Sequence, residues 1–542
     1  MTILKYSASF REGGFKYCFL LSLIFLYASL VTVGTGRSWG AEQVVSFEIE
    51  AFEVYGNTLL EDEEVRDVLA GLMGEKKTVA DVEKARDALE KLYHNKGYIS
   101  VFVNIPEQSV DEGTVKLQVV EGRVGKVTIS DNRFVTMEKL LNELPSLAPG
   151  EILYGPRIEA EINKVNSSQD LKVTPILMPG KEPGTVDVEL KVQDHPALHG
   201  SLELNNRASP GTEPLRLNAI LHYDNLWQRD HSLSLQYQMS PQNPDQVEVF
   251  AGSYVLPVPW RSDDRFALYG VISDSNSAFG EGFHTVGKGD IIGIRYVFSL
   301  PTYKAYAQAL TIGLDYKDFR QATGLDNPGG AIQSPVSYLP LSFSYSSSLR
   351  DPWGLTVFSS GLNMVFRGLF TSQSEFENKR FDAEGNYLYF TGGVERSQKL
   401  PGDTKLYIKV DGQLSDQPLI NNEQYAAGGM ESVRGYKESE ALGDKAIHTI
   451  TEFSAPDLAE LAGLGKKLSL RPYVFFDYAD LMILDPLPSQ KEVLELCSTG
   501  AGMRGNFMNR LEYDVGFGVP MIGTTYSPKD SVRVYFKVKS YF

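Results

Sequence analysis

The sequence predicts two small α/β modules followed by a transmembrane antiparallel β-barrel of about 16 strands. The same order of strands and helices occurs twice between residues 45 and 196. From residue 198 onward, short segments alternate apolar and polar residues with a period of two, which indicates strands with one apolar face. Tyr and Phe number 28 each, and both are enriched in strands and at membrane interfaces.

The composition excludes several classes of function. Lys and Arg number 52 against 69 Asp and Glu, so we expect no nucleic-acid partner, because phosphate binding needs a clustered basic surface. The motifs His-Glu-x-x-His and Gly-x-Ser-x-Gly and the phosphate-binding Gly-rich lysine loop are missing, and the 7 His show no ligand spacing. The sequence therefore predicts no catalytic site, no metal site and no cofactor. A catalytic pair among the scattered carboxylates, as in an outer-membrane protease or lipase, stays open.

Residues 1–41 are typical of an export signal. Lys5, Arg11 and Lys16 form a basic region, "CFLLSLIFLYASLVTV" is a short apolar core, and "SWGA" supplies small residues for cleavage. The alternative is a retained anchor, although about 20 apolar residues are normally needed to span a bilayer. After cleavage the chain would keep Cys497 alone, which excludes an intramolecular disulfide and a cysteine-based zinc site.

The first module covers residues 45–122. "SFEIEAFEVYGN" alternates and then turns at Gly56-Asn57, and "LEDEEVRDVLAGLM" has helical spacing. In the next helix, "TVADVEKARDALEKLYHNKG", Thr78 and Asp81 are placed as a capping box. The apolar face of this helix is predicted to contain Val82, Ala85, Leu89 and Leu92. Two strands follow, and the second, "GTVKLQVVEG", has one apolar face of Val115, Leu117 and Val119.

The second module, residues 123–196, repeats this order with a period of about 75 residues. "VGKVTIS" is a predicted strand, "TMEKLLNELPSL" and "PRIEAEINKVNSS" are predicted helices, and "LKVTPILMPG" and "GTVDVELKVQD" are predicted strands. Asp131-Asn132 stands where the first module has Gly-Asn, so we expect a different turn there.

The barrel is predicted from residue 198 to residue 542. In "EPLRLNAILHY" one side is apolar and contains Leu215, Leu217, Ala219, Leu221 and Tyr223. After the link "DNLWQRD", the next strand places Leu233, Leu235, Tyr237 and Met239 on one side. A strand with lipid outside and water inside has this pattern. A soluble β-sandwich is the alternative, but it would need neither an export signal nor a terminal aromatic residue.

The last segment, "SVRVYFKVKSYF", is predicted to close the barrel. Its apolar side contains Val532, Val534, Phe536, Val538 and Phe542. Arg533, Lys537 and Lys539 lie on the other side. The terminal Phe542 resembles the recognition signal of the barrel-assembly machinery, which is therefore an expected partner during biogenesis.

These segments resemble a known family. "GYISVFVNIPEQSVDEGTVKLQVVEGRVGKVTI" is similar to the first POTRA module of two-partner secretion transporters, and "LMPGKEPGTVDVELKV" to the end of their second module. "GQLSDQPL", "EQYAAGGMESVRGY" and "EFSAP" resemble the haemolysin secretion/activation branch of the POTRA-barrel superfamily. The resemblance implies a barrel in the bacterial outer membrane, POTRA modules in the periplasm, and a large secreted exoprotein with an N-terminal secretion domain as partner.

The resemblance also implies a loop around residues 422–445 that folds into the barrel lumen. Its motif is Val433, Arg434, Gly435 and Tyr436. A guanidinium in a narrow lumen needs a carboxylate partner. In this family the partner lies in a Phe-x-Asp-x-Gly motif, which here matches Phe475 and Asp477 but has Ala479 in place of the glycine.

The sequence thus predicts a pore that binds an unfolded exoprotein through its POTRA modules and exports it. The modules could bind an extended chain at a sheet edge, or could serve as spacers. The alternative function is an assembly factor that inserts other barrels; the modules argue against a third, a passive porin. The first module begins a few residues after the predicted cleavage site, which leaves no room for the plug helix of many relatives. We therefore expect the Arg434 loop alone to close the lumen.

Overall fold

A computed structural model of the protein describes residues 46–542, with gaps at 111–112, 275–276, 280–282, 287, 321, 325–330, 367, 370 and 466. The predicted export signal, residues 1–41, lies outside the described residues. None of the described helices combines the length and apolar character needed to cross a membrane. The chain forms two compact units, the first from residues up to 128 with 146–160 and 177–188, the second from residues 129–145, 161–176 and 189–542.

The first α/β module has the predicted strand, two helices and two strands in order, with a further short strand between the helices. The elements are β1 (Phe47–Ile49), β2 (Ala51–Tyr55), α1 (Asp62–Ala70), β3 (Gly74–Lys77), α2 (Val79–Asn95), β4 (Val101–Asn104) and β5 (Thr114–Glu121). The main sheet has the order β2-β5-β4, with β2 and β5 parallel. Asp81 accepts hydrogen bonds from the Thr78 N–H (3.0 Å) and hydroxyl (2.9 Å), as a capping box requires. Helix α2 buries Val82, Ala85, Leu89 and Tyr93 against the sheet, while Leu92 is only half-buried.

The second module repeats this architecture. Its elements are β6 (Arg123–Ser130), α3 (Met137–Glu143), a 3₁₀ turn (Pro145–Leu147), α4 (Gly155–Val165), β7 (Leu171–Pro179) and β8 (Thr185–Asp194). The sheet order is β6-β8-β7, which places the last strand of the module in the centre, as in the first module.

The turn after the first strand is the same in both modules, so the expected difference at Asp131-Asn132 is wrong. Asp131 has φ +65° and occupies the place of Gly56, whose φ is +84°. Aspartate tolerates this left-handed conformation better than most residues do. The amide Nδ2 of Asn57 donates to the Leu60 carbonyl (2.9 Å), and that of Asn132 to the Val135 carbonyl (2.8 Å).

A carboxylate at the end of each central strand holds this turn. Glu121 accepts hydrogen bonds from the N–H groups of Thr58 (2.5 Å) and Leu59 (3.1 Å). In the second module Asp194 accepts hydrogen bonds from three successive backbone N–H groups, those of Arg133 (3.0 Å), Phe134 (2.6 Å) and Val135 (2.8 Å). Glu121, in the "Val-Glu-Gly" end of the strand, therefore stabilises the turn between the first strand and the first helix.

The second unit continues with the strands of a barrel and its loops. The first half contains β9 (Leu198–Asn205), β10 (Arg216–Leu226), β11 (His231–Met239), β12 (Glu248–Val258), β13 (Arg261–Ser273), β14 (Ser277–Phe279), β15 (Phe283–Val286), β16 (Gly289–Ser299), β17 (Tyr306–Phe319), β18 (Ala322–Gly324) and β19 (Ala331–Gln333). The second half contains β20 (Val336–Tyr338), β21 (Leu341–Asp351), β22 (Gly354–Met364), α5 (Gln373–Lys379), β23 (Leu388–Lys399), β24 (Lys405–Ser415), β25 (Tyr425–Ala427), β26 (Ala441–Gly443), β27 (Lys445–Ser454), α6 (Leu458–Leu461), β28 (Arg471–Met482), β29 (Val493–Phe507), β30 (Leu511–Pro520) and β31 (Arg533–Tyr541).

The barrel is closed and antiparallel. Among the described residues it has sixteen strands, because β20 and β21 both pair with β17 and form one interrupted strand. The short pairs β14–β15, β18–β19 and β25–β26 lie outside the barrel sheet. Strand β31 pairs with both β30 and β9, which closes the ring. The predicted strand count of about 16 is therefore confirmed.

The register gives the barrel one apolar outer face, as the alternation predicted. In the first hairpin Leu221 lies opposite Leu235 and Tyr223 opposite Leu233, and these side chains remain exposed. At the start of the same hairpin, Arg216 lies on the inward-facing side of β10 and is buried. An exposed apolar band with a polar interior is the surface that lipid requires of a barrel.

The terminal residue lies at the closing seam. The N–H and carbonyl of Phe542 exchange hydrogen bonds with those of Gly200 on β9, at 3.0 and 2.8 Å. The Phe542 ring lies against Gly200, where a Cβ atom would be 2.2 Å from the ring. The ring itself is exposed on the outer face.

Candidate functional site in the barrel lumen

Residues 416–444, which we call the lumen loop, connect β24 to β27 and fold into the barrel. The short hairpin of β25 and β26 lies within it. Val433, Arg434, Gly435 and Tyr436 are all buried, as are the barrel residues Phe475 and Asp477. The structure thus brings the sequence motif and its expected partner strand together inside the lumen.

Arg434 is held by two carboxylates on the inner wall. Its backbone N–H (3.0 Å) and Nε (2.8 Å) donate to Oδ2 of Asp477, and its Nη2 donates to Oδ1 at 2.8 Å. Its Nη1 donates to Oε2 of Glu452 at 2.6 Å. Arg434 is 5% exposed and Asp477 0% exposed, so the pair is shielded from bulk water. A buried charge is tolerable only with such pairing.

Aromatic rings complete the environment of this guanidinium. Its carbon Cζ lies 3.6 Å from the centre of the Phe475 ring, a close cation–π contact. The neighbouring Arg504 on β29 donates to Glu452 at 2.9 Å and lies over the Tyr473 ring. The matching stretch "YVFFDYAD" therefore contributes both a charge partner and a flat surface for the arginine.

Both the backbone conformation at position 435 and the space around it require glycine there. Its φ is +98°, which favours glycine. Its backbone also lies directly on Gly518 of β30, where an added Cβ would be 2.6 Å from the Gly435 nitrogen. Sequence reasoning missed Gly518, although glycine within a strand is a general signal of close backbone approach.

Val433 and Tyr436 flank the arginine and pack on the wall. Val433 belongs to an apolar cluster with Ala479 and Leu481 of β28. The methyl group of Ala479 therefore fills space in this cluster, and the Arg434–Asp477 pair forms without the glycine usual at that position. The Tyr436 hydroxyl donates to the Ile522 carbonyl at 2.6 Å and accepts from the Cys497 N–H at 3.2 Å.

Other barrel strands hold an earlier part of the loop. Glu423 accepts hydrogen bonds from Lys317 Nζ (2.6 Å), the Tyr338 hydroxyl (2.5 Å) and the Tyr389 hydroxyl (2.8 Å). In barrel order five strands separate β17, which carries Lys317, from β28, which carries Asp477. Because Glu423 is bound by β17, β20 and β23 and Arg434 by β27 and β28, the lumen loop is attached to the inner wall at two separate places.

A second loop packs inside the lumen with it, so the expectation that the Arg434 loop acts alone is wrong. The β22–β23 loop, residues 365–387, contains α5 and buries Phe376 and Tyr387 in an apolar cluster. This cluster contains Val249, Val271, Ile291, Phe319, Val336, Tyr338, Val365, Phe376, Ala383, Tyr387, Leu419 and Ile420. Most of these are inward-facing strand residues or members of the two loops. The interior is therefore apolar here, where alternation alone predicts polar residues.

An ion pair joins the two loops. Arg380 at the end of α5 donates through Nη1 and Nη2 to the carboxylate of Asp444, the last residue of the lumen loop. Asp444 is fully buried and also accepts from the N–H groups of Leu419 (2.9 Å) and Leu484 (2.8 Å). Asp444 thus binds residues of three loops: the β22–β23 loop, the lumen loop and the loop that follows β28.

A closed membrane barrel, preceded by two small α/β modules and crossed by a loop that a buried arginine holds, is the architecture of an outer-membrane protein transporter. Residues 184–505 match the family "Haemolysin secretion/activation protein ShlB/FhaC/HecB", and residues 47–122 match "POTRA domain, ShlB-type". The chain belongs to the haemolysin secretion/activation protein family. It is an outer-membrane transporter of the two-partner secretion class, with its POTRA region in the periplasm.

Individual relatives agree with this assignment. The chain is similar to outer membrane transporter CdiB of Dickeya dadantii (strain 3937), at 23% identity over 75% of this chain and 72% of the relative. It is 20% identical to heme/hemopexin transporter protein HuxB of Haemophilus influenzae (strain 86-028NP), over 72% of this chain and 69% of the relative. The solved structure of CdiB from Escherichia coli has the same fold, with TM-score 0.62 and 18% identity over 99% of this chain and 100% of that chain. These findings favour transport over the assembly-factor alternative.

Proposed function

We propose that this chain binds a large unfolded exoprotein with an N-terminal secretion domain through its POTRA modules and passes it outward through the barrel after the lumen loop has moved. The observation that carries the proposal is the buried pair of Arg434 with Asp477 and Glu452. It holds the lumen loop against the inner wall of the barrel, inside the space through which an exported chain would pass. Export therefore requires this contact to break or to shift.

The POTRA sheets offer a place for capture. In the order β6-β8-β7, strand β7 has one unpaired edge. Near its end Leu177 and Met178 are 43% and 40% exposed. An extended chain can add to such an edge through backbone hydrogen bonds, which select for an extended conformation more than for a sequence. Unfolded exoproteins meet this requirement.

No chemistry at a substrate is needed for this function, and we propose no enzymatic role. The buried carboxylates of the lumen have structural partners: Asp477 and Glu452 hold Arg434, and Asp444 holds Arg380. The exposed Phe542 at the seam is suitably placed for recognition by the barrel-assembly machinery during insertion.

The test is export of a candidate exoprotein, a very large secreted protein encoded by a neighbouring gene. Cells expressing both proteins are compared with cells carrying Arg434→Ala, and exoprotein in the medium is measured after folded insertion of each barrel is verified. The matched control is Arg396→Ala, because Arg396 pairs with Asp351 between barrel strands and its side-chain hydrogen bonds within the described part of the chain go to Asp351, Thr356 and Gln398. We expect at least a tenfold loss for Arg434→Ala and normal export for Arg396→Ala. Equal export by both variants, or depletion of many other barrels on deletion of the gene, contradicts the proposal.

A further inference from the structure

A cluster of two histidines and two aspartates lies where the chain enters the barrel. His199 on β9 and His222 on β10 are direct cross-strand partners. Both follow the inward-facing register of their strands, as does Asp224. Asp170, which precedes β7, completes the cluster, and all four residues belong to the same compact unit.

Donor atoms of Asp170, His199 and Asp224 already converge, and His222 contacts Asp224. His199 Nε2 lies 2.8 Å from Asp170 Oδ2, and His222 Nε2 lies 2.9 Å from Asp224 Oδ1. Ligand atoms of Asp170, His199 and Asp224 all lie within 4.8 Å of one another. Donors bound to zinc at about 2.0–2.1 Å in tetrahedral geometry are roughly 3.3 Å apart, so small side-chain movements would produce a site.

The two carboxylates of the cluster face imidazole nitrogens. Two carboxylates lie close together, and among the described residues no lysine or arginine nitrogen forms an ion pair with either Asp170 or Asp224. Two neutral imidazoles and two carboxylates make a donor set of total charge −2, which a divalent ion neutralises. The Ser232 hydroxyl donates to Asp224 at 2.5 Å and orients that carboxylate.

We infer that His199, His222, Asp170 and Asp224 form a binding site for a divalent transition-metal ion of the zinc type. Nitrogen donors from imidazole favour zinc over calcium or magnesium, which prefer oxygen donors alone. A bound ion would link the segment before β7 to the first two barrel strands. The sequence predicted no metal site because its ligands are separated by up to 54 residues. The pairing of β9 with β10 brings the two histidines together, and Asp170 reaches them from the segment before β7.

The test uses the full-length chain, purified in detergent without a histidine tag and stripped with a chelator. Zinc chloride is titrated calorimetrically into the wild type, His199→Gln, His222→Gln and Asp170→Asn. The control is His231→Gln, because His231 lies on the next strand and contacts the Tyr254 hydroxyl instead of the cluster. We expect one site per chain in the wild type and in the control, and at least a tenfold weaker affinity in each of the other three variants.

X-ray absorption at the zinc edge supplies a second readout that does not depend on the variants. We expect two imidazole nitrogens and two oxygens around the ion. Millimolar binding in the wild type, affinity unchanged by the cluster substitutions, or a zinc environment without imidazole would each overturn the inference. Magnesium and calcium chloride, titrated in the same way, are expected to give no binding at this site.

Discussion

Both carboxylate oxygens of Asp477 accept hydrogen bonds from Arg434, at 2.8 Å from Nε and at 2.8 Å from Nη2. The backbone N–H of Arg434 donates to the same carboxylate at 3.0 Å, so main chain and side chain of the loop are held together. The contact fixes the position of the lumen loop as well as its charge. Release of the loop requires all of these bonds to be exchanged for others.

Arg434→Ala leaves Asp477 and Glu452 buried without their common partner. Loss of one member of a buried pair costs about 3–5 kcal/mol, so the loop is expected to leave the wall. In planar bilayers we predict a higher resting conductance for Arg434→Ala than for the wild type. Arg396→Ala, which breaks a pair between barrel strands, serves as the control and is expected to keep the wild-type conductance. A resting conductance equal to that of the wild type would show that other contacts hold the loop.

Gly518→Ala tests the close approach of the loop backbone to β30. The added Cβ would lie 2.6 Å from the Gly435 nitrogen and 2.8 Å from its Cα, so the loop must shift. We predict a destabilisation of about 1–3 kcal/mol, as for other overpacked sites, and faster protease cleavage in residues 416–444. Gly270→Ala is the matched control, because its nearest neighbour would be 3.7 Å away. Equal cleavage of both variants would refute the steric argument.

Arg380→Ala separates the β22–β23 loop from the lumen loop. Asp444 is fully buried and keeps hydrogen bonds from backbone N–H groups, but it loses its cation. We predict increased hydrogen exchange in residues 371–387 and in residues 416–424, measured by mass spectrometry. Arg320→Ala removes an exposed arginine of another loop and should leave both segments unchanged. Protection that persists in Arg380→Ala would show that the apolar cluster alone holds the loops.

We predict that Asp194 makes the stability of the second POTRA module depend on pH in the acid range. Burial alone would raise the pKa of Asp194, but hydrogen bonds from the N–H groups of Phe134, Val135 and Arg133 outweigh it and lower the pKa below its ordinary value of 3.8. Because the pKa of Asp194 is lower in the folded state than in the unfolded state, the ionised carboxylate stabilises the module at neutral pH. This stabilisation is lost as the pH falls below the unfolded-state pKa and through the folded-state pKa. Asp194→Ala should therefore destabilise the module by about 1–3 kcal/mol at neutral pH, because three N–H groups lose their acceptor.

The measurement for Asp194 is hydrogen exchange of residues 131–136 in wild type and Asp194→Ala. At neutral pH we expect faster exchange in the variant, after correction for the intrinsic rate. Below pH 3.8 the difference between the two proteins should shrink, because the wild-type carboxyl also becomes protonated. A difference that is constant with pH would rule out the carboxylate as the source of the protection.

The sequence predicted the strands well because a barrel wall has one lipid face, which makes alternation strong in segments such as β10 and β11. It predicted the lumen side less well. Val249, Val271, Ile291 and Phe319 point inward, where alternation predicts polar residues, because two loops cover them. Packing of loops within a lumen has no periodic signal in the sequence.

The candidate site was also predicted only in part. Arg434 and Asp477 were found through family motifs, whereas Glu452 and Gly518 were not. Their proximity to Arg434 depends on the register of β27 with β28 and on the path of the loop over β30, and neither is encoded within a short segment. The period of two in "KAIHTITEFS" could have identified Glu452 as inward-facing, because Ile447 and Phe453 lie on the opposite face of the strand.

The most direct test of a lumen loop that must move is to tether it. Ser527 Oγ donates to Glu440 Oε2 at 2.7 Å, which joins the lumen loop to the loop after β30. In a chain with Cys497→Ser, the pair Glu440→Cys and Ser527→Cys can be bridged by a short thiol-specific cross-linker that a reductant cleaves. The account predicts no exoprotein in the medium from cross-linked cells and recovery of export after reduction. Undiminished export from fully cross-linked protein would contradict it.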